Sequence, residues 1–239
     1  MRSQAICSER IDERLLMITL YHSPLSINSR RVWVTLIEKG LTFDLQEVNL
    51  AGDQYKPEFL AMNPFHHIPV LVDGTQTVIE SFAILDYLDA QYPTPPLMPQ
   101  EPAAIALVRM VQMVTLNELM PAVTPLTRKM MGFGEPDPEA IAKAIQQGQV
   151  CLQFFAEKLG DRAYFGGDHI TLADVVLGTV APWFAELELP LTEFPTLAAW
   201  CDRLMQREAW RVTQPTPEMI AAFRERMRAL MTARQKGLG

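Results

Sequence analysis

The sequence predicts two domains, a small α/β domain followed by an all-helical one. Three observations carry this reading. The first ninety residues alternate short β-rich runs with helical patterns. "YPTPPLMPQEP" then places five prolines in eleven residues, and proline at that density continues neither a helix nor a central strand. Beyond it the chain reads as helices alone.

In the first part, "LLMITLY" is rich in β-formers and leads into a turn at Pro24. From Ser26 to Lys39, Val32, Trp33, Leu36 and Ile37 recur at helical spacing, and Gly40 stops the helix. "TFDLQEVNL" alternates as a half-buried strand. "IPVLVDG" and "TQTVIE" form two short strands around a turn at Asp73-Gly74. Ser81 is read as the cap of a helix carrying Ile84, Leu85 and Leu88 on one face. Past the linker, helices are predicted over 103–131, 138–159, 172–188, 196–206 and 218–233, with Pro121 and Pro125 kinking or dividing the first.

Composition narrows the function. The 239 residues are 49% hydrophobic and 21% charged, an ordinary balance for a buried core. A net charge of -7 opposes general nucleic-acid or anionic-membrane binding. Cys7, Cys151 and Cys201 are widely spaced, forming neither a disulfide framework nor a zinc site, and suit a reducing cytosol. No apolar run of about 18 residues is evident, so no membrane span is expected. Residues 1–16 carry acids and arginines and read as an extension, with Met17 an alternative start.

Three local signals bear on chemistry. In "NPFHHIPVLVDG", a cis Ile68-Pro69 bond would turn the chain tightly and offer the Ile68 backbone to a ligand; alone, a trans proline at a strand start is the commoner reading. In "IESFAILDYL", Glu80 and Ser81 open a helix whose free N–H groups attract a carboxylate, and Glu80 can pair with an ammonium; alone, this is a helix cap. In "HITLADVVLG", Thr171 and Asp174 form a capping box that serves folding.

Together and in this order, the three resemble the landmarks of the cytosolic glutathione transferase family, from about Leu16 onward. The resemblance implies a thioredoxin-like glutathione-binding domain at 17–92, a linker at 93–101 and an all-helical domain at 102–239 with the electrophile site. "LSINSRRV" is similar to the serine-type (theta and phi) pattern of a serine followed four residues later by an arginine. That implies Ser26 as the residue donating a hydrogen bond to the glutathione sulfur, with Arg30 as its companion; alone, Arg30 is more often a solvated helix residue. Ser23 competes for the role and Tyr21 is a minor candidate. No cysteine lies in the loop, which opposes a thiol-transferase, dehydroascorbate-reductase or cysteine-dependent isomerase reading.

By the same resemblance Ile68 and Pro69 hold the cysteinyl part of glutathione, Glu80 and Ser81 its γ-glutamyl end, and His67 its glycyl carboxylate. His66 and His67 are adjacent on what reads as an extended segment and point opposite ways, so no metal site is expected. Met113, Leu116, Met120, Met130, Met131 and Phe133 are candidates for the wall of an apolar pocket, against the plainer reading as core. The implied activity is conjugation of glutathione, as co-substrate, to small apolar electrophiles, with peroxidase or dehalogenase variants. A cytoplasmic homodimer is implied, with Phe65 a candidate anchor. Two departures, Gln54 where the theta and phi patterns place histidine and Arg109 where an acid is common, favour a rival reading. In that reading the chain is a non-catalytic module for binding or assembly.

Overall fold

The computed structural model describes residues 17–134 and 136–235; the extension at 1–16, Cys7 included, and Glu135 lie outside them. A four-stranded sheet of order β2-β1-β3-β4 forms from β1 (Ile18–His22), β2 (Phe43–Glu47), β3 (Val70–Asp73) and β4 (Gln76–Ile79). β1 runs parallel to β2 and antiparallel to β3, which pairs antiparallel with β4. The parallel pair requires a crossover, supplied by α1 (Ile27–Glu38). α3 (Ser81–Gln91) packs beside α1.

Two local readings change. The segment after β2 contains a 3₁₀ turn (Asp53–Tyr55) and α2 (Pro57–Met62), six residues opened by a proline and too short to show periodicity. Ser81 is the first helical residue of α3, not its cap; Glu80 occupies the cap with φ 67° and makes no side-chain capping bond.

The linker is tied down from both sides. The buried Lys39 ammonium pairs with Asp89 at 2.7 Å and donates to the Tyr92 and Pro95 carbonyls. Tyr87 and Tyr92 both donate to Asp73.

In the helical part, α4 (Pro102–Val114) runs into a π-helical turn (Thr115–Leu119) and α5 (Met120–Ala122). Proline usually breaks a helix because its ring meets the carbonyl four residues back. Here the wider turn, with Met120 N–H donating to Thr115 O, carries the helix across Pro121, and the break falls at Val123. α6 (Thr124–Met131) follows, then α7 (Pro138–Leu159). The expected 172–188 helix is shorter: α8 (Leu172–Gly178) gives way to a 3₁₀ turn (Ala181–Trp183). After another 3₁₀ turn (Leu191–Glu193) come α9 (Pro195–Met205), α10 (Glu208–Thr213), which the sequence reading missed, and α11 (Pro217–Gln235).

The capping box forms as expected. Asp174, fully buried, accepts from Thr171 N (2.7 Å), Thr171 Oγ1 (3.0 Å), Phe165 N (3.0 Å) and Trp200 Nε1 (2.8 Å). Burial pushes its carboxyl up while these four donors oppose the shift.

The run Pro102–Ala122 is, by length and composition, apolar enough to cross a membrane, contrary to the sequence expectation. It packs on α7 and α8 and carries Arg109, paired to Asp86 at 2.8 Å. Its outer face leaves Met110, Met113 and Leu116 about two-fifths exposed.

Candidate functional site

The site is built around two helix N-termini. At the first, Ser26 caps α1: its Oγ accepts from Ser29 N at 3.2 Å. One oxygen lone pair is thereby committed to the helix, and the hydroxyl hydrogen is left to point elsewhere. The N–H groups of Ile27 and Asn28 have no acceptor among the described residues, as first-turn positions require. The first turn of α1 holds no acid, so a negative charge placed there meets the positive end of the helix without a competitor.

At the second, the cap residue Glu80 makes no side-chain bond to the first turn of α3, which leaves donors available there. His67, Ile68, Pro69, Glu80 and Ser81 line one cavity of about 560 Å³, with Asn28, Leu50, Gln54, Tyr55, Asn63 and His66 completing it. The five binding residues expected from the sequence are therefore brought together. The Ile68-Pro69 bond is cis.

Asn63 was not singled out from sequence, although Asn before proline is a turn signal. Buried, it donates to the His67 carbonyl at 2.8 Å and accepts from Phe65 N at 3.0 Å, fixing the loop that presents His67 and Ile68. His66 is not extended: its φ is 50°, its ring lies 5.1 Å from Tyr55 and 5.6 Å from His67. The premise that the two histidines point opposite ways is thus corrected. Among the described residues no group of three or more His, Cys, Asp or Glu is placed to hold a metal.

A smaller cavity of about 280 Å³ adjoins Ser26, lined by Leu25, Ile27, Asn28, Met120, Val123, Thr127, Met130, Met131, Val180, Trp183 and Leu187. Asn28 belongs to both cavities. Met120, Met130 and Met131 stand where the sequence placed them. Met113 and Leu116 do not: they are on the outer face of the helical run. Phe133 packs edge-on against Phe223 of α11, at 6.0 Å.

Other candidates are placed elsewhere. Ser23 faces a third cavity with α11 residues Met219, Ala222 and Phe223. Tyr21 packs edge-on against Phe59 and lines none of these cavities. Gln54 is occupied within its own loop, donating to Leu50 O and accepting from Gly52 N.

Arg30, expected beside the sulfur, is buried and turned to the helical domain. It donates to Thr213 Oγ1 (3.2 Å), Trp210 O (3.2 Å) and Thr179 O (3.4 Å). Burial lowers its guanidinium to about 10. Arg30 therefore positions α1, and with it Ser26, against the second domain.

A thioredoxin-like sheet joined to a helical domain, with a peptide-sized cleft opening onto an apolar pocket at a serine-capped helix, defines a class of two-substrate transfer proteins. Comparison places the chain within it. The glutathione S-transferase N-terminal domain matches residues 20–96 and the C-terminal domain residues 90–208. Glutathione S-transferase F10 of Arabidopsis thaliana is 30% identical over 218 residues, covering 82% of this chain and 95% of that protein. Maleylacetoacetate isomerase of Rattus norvegicus is 32% identical over 191 residues, covering 78% and 87%. The solved structure of glutathione transferase F7 from Populus trichocarpa superposes with a TM-score of 0.72 at 27% identity, covering 82% of this chain and 97% of that one. The chain belongs to the cytosolic glutathione transferase family, enzymes that use glutathione as co-substrate.

Proposed function

We propose that this chain is a serine-type glutathione transferase in which the Ser26 hydroxyl donates a hydrogen bond to the glutathione sulfur and holds it as thiolate. The observation that carries the reading is the capping bond from Ser29 N. It fixes Ser26 Oγ at the start of α1 with its hydrogen uncommitted, beside an apolar pocket that meets the cleft at Asn28.

The chemistry needs no general base. A thiol of pKa about 8.5 is a few per cent ionised at neutral pH. A hydrogen bond to the charged sulfur contributes about 1.5–3 kcal/mol and the helix terminus about 0.3–1 kcal/mol. One pKa unit corresponds to about 1.4 kcal/mol, so the two together lower the thiol by about 1.3–3 units. The thiolate then adds to a small apolar electrophile held against Met120, Met130, Met131 and Trp183. Substitution at a carbon–halogen bond and reduction of hydroperoxides use the same thiolate.

In this reading the Ile68 backbone pairs with the cysteinyl unit, Ser81 and the α3 N-terminus take the γ-glutamyl carboxylate, and Glu80 takes its ammonium. His67 takes the glycyl carboxylate. The glutathione domain spans 17–92, the linker 93–101 and the electrophile-binding domain 102–239. The exposed stripe Met110, Met113 and Leu116, with Phe65 at 57% exposure, supports a homodimer. We place the protein in the cytoplasm, in small-molecule detoxification.

The test is the ultraviolet absorbance of bound glutathione thiolate against pH, in wild type and Ser26→Ala. A depressed pKa that returns toward the free value in the variant supports the reading. Glutathione bound with an unshifted pKa would make the chain a carrier. A second activity, glutathione-dependent cis–trans isomerisation, is favoured by the similarity to maleylacetoacetate isomerase. It is tested by following isomerisation of a maleyl ketone with catalytic glutathione.

A further inference from the structure

Asn28 has no part in the account so far. It is exposed at the second position of α1, two residues past Ser26, and is a polar residue shared by the peptide cleft and the apolar pocket. Its carboxamide makes no hydrogen bond among the described residues. The hydroxyls that line the apolar pocket are otherwise disposed. Ser26 has a single hydrogen, assigned to sulfur. Thr127 donates its own to Val123 O at 3.0 Å. The indole N–H of Trp183, on the helical-domain wall, likewise makes no hydrogen bond among the described residues and is the competing donor. A donor thus stands at the sulfur end of a pocket whose remaining walls are largely apolar.

Resting on the serine-type reading, we propose that Asn28 is a further catalytic residue, whose Nδ2–H donates to the electrophile atom that gains negative charge as the sulfur–carbon bond forms. With an enone, the thiolate lone pair forms the S–C bond at the β-carbon. The C=C π pair shifts to give an enolate with its charge on oxygen, and solvent water then protonates the α-carbon. No group leaves, so the charge stays in the pocket, one conjugated unit from the sulfur, within the reach of a side chain beside Ser26. With an alkyl halide, the C–X pair departs with the halide on the side opposite the sulfur, away from Asn28. The residue therefore discriminates between electrophiles that retain their charge beside the sulfur and those that expel it.

The experiment compares wild type, Asn28→Ala, Asn28→Asp and Trp183→Phe with methyl vinyl ketone or a longer enone and with a benzyl halide, at saturating glutathione. Glutathione Kd and bound-thiolate pKa are measured on each protein. A hydrogen bond to a developing charge predicts that Asn28→Ala and Asn28→Asp lose about 10- to 100-fold in kcat/KM on the enone. On the halide Asn28→Ala remains within about threefold, with Kd and thiolate pKa held; Asn28→Asp puts an acid in the first turn of α1 and raises the thiolate pKa, so its rates on both substrates are compared at matched thiolate fraction. Position two of a helix accepts alanine or aspartate readily, so folding is not at issue. Equal losses on both substrates, no loss on either with the thiolate intact, or a selective loss in Trp183→Phe instead, would each overturn the proposal. A wild-type complex without thiolate overturns the serine-type reading and this inference with it.

Discussion

The sharpest consequence of the proposed serine-type reading is that one Ser26 hydroxyl would perform two separable tasks. Its oxygen caps α1 through Ser29 N at 3.2 Å, and its hydrogen is assigned to the thiolate. Ser26→Ala removes both. Loss of an N-cap serine costs about 0.5–2 kcal/mol of stability, whereas glycine at that position costs only a few tenths. Loss of the donor costs about 1.5–3 kcal/mol of thiolate preference, which is about 1.1–2.2 pKa units. Three variants therefore separate the roles. Ser26→Thr keeps both; Ser26→Gly keeps most of the stability and loses the thiolate; Ser26→Ala loses both. The urea midpoint reports the cap and ultraviolet absorbance of bound glutathione reports the donor. Turnover supplies a third readout. Below both pKa values the alanine and glycine variants should be slower than wild type by about 10- to 160-fold, the ratio of thiolate fractions. The gap should close at alkaline pH, where the sulfur ionises unaided and a more basic thiolate is the better nucleophile. A glycine variant with wild-type thiolate pKa, or a deficit that persists unchanged to high pH, would refute the assignment.

Three further outcomes follow from the same structure. Asp174→Ala leaves four buried donors facing an apolar side chain and should lower stability by about 3–5 kcal/mol; Asp174→Asn retains one accepting oxygen and should cost less, read from paired urea titrations. His22 is buried against Trp33, and burial lowers its pKa below 6.5, so the folded state prefers the neutral ring. Stability is then full above about pH 6.5 and falls as pH drops through the folded value; His22→Gln should flatten that acid-side slope between pH 7 and 5. Met113→Glu, on the exposed α4 stripe, should shift light-scattering mass from dimer to monomer with far-ultraviolet dichroism unchanged; a dimer that persists would place the interface elsewhere.

The fold was legible where local chemistry has few solutions. The proline cluster, the capping box and the Asp73-Gly74 turn are each carried by residues whose backbone preferences are strong. Arg30 was misplaced for a physical reason. The periodicity of Val32, Trp33, Leu36 and Ile37 describes a one-faced helix, but the buried set of α1 runs Ser29, Arg30, Arg31, Val32, Val34, Thr35 and Leu36. The helix is enclosed on most sides by the sheet, α3 and the helical domain, so Arg30 is interior rather than beside the sulfur or solvated, and so is Arg31. Asn28 and Asn63 were missed because a single polar residue has no periodicity; their roles come from what the tertiary fold sets against them.

The charge pattern of the cleft yields a last expectation. Glutathione brings two carboxylates and one ammonium, and ionising its thiol adds another negative charge, yet the protein itself carries -7. Among the described residues no Lys or Arg lines the peptide cleft, whose carboxylate is Glu80. The nearby Lys56 is already paired to Asp53 at 2.7 Å. In the proposed reading, compensation for the ligand comes from the N-termini of α1 and α3 and from single hydrogen bonds, that of His67 included. These act at contact range, well inside a Debye length of about 8 Å at physiological salt, where screening is weak. Among the described residues no lysine lines the cleft to steer the ligand, and the net charge of -7 opposes the approach of an anion. Glutathione affinity measured by calorimetry should therefore change by less than about threefold between 20 and 500 mM NaCl, because a bond made at contact is little screened. Any change should run toward tighter binding as salt screens the protein's own charge. A tenfold weakening across that range would mean that a cationic side chain reaches the ligand, and the assignment of the γ-glutamyl carboxylate to the α3 N-terminus would fail.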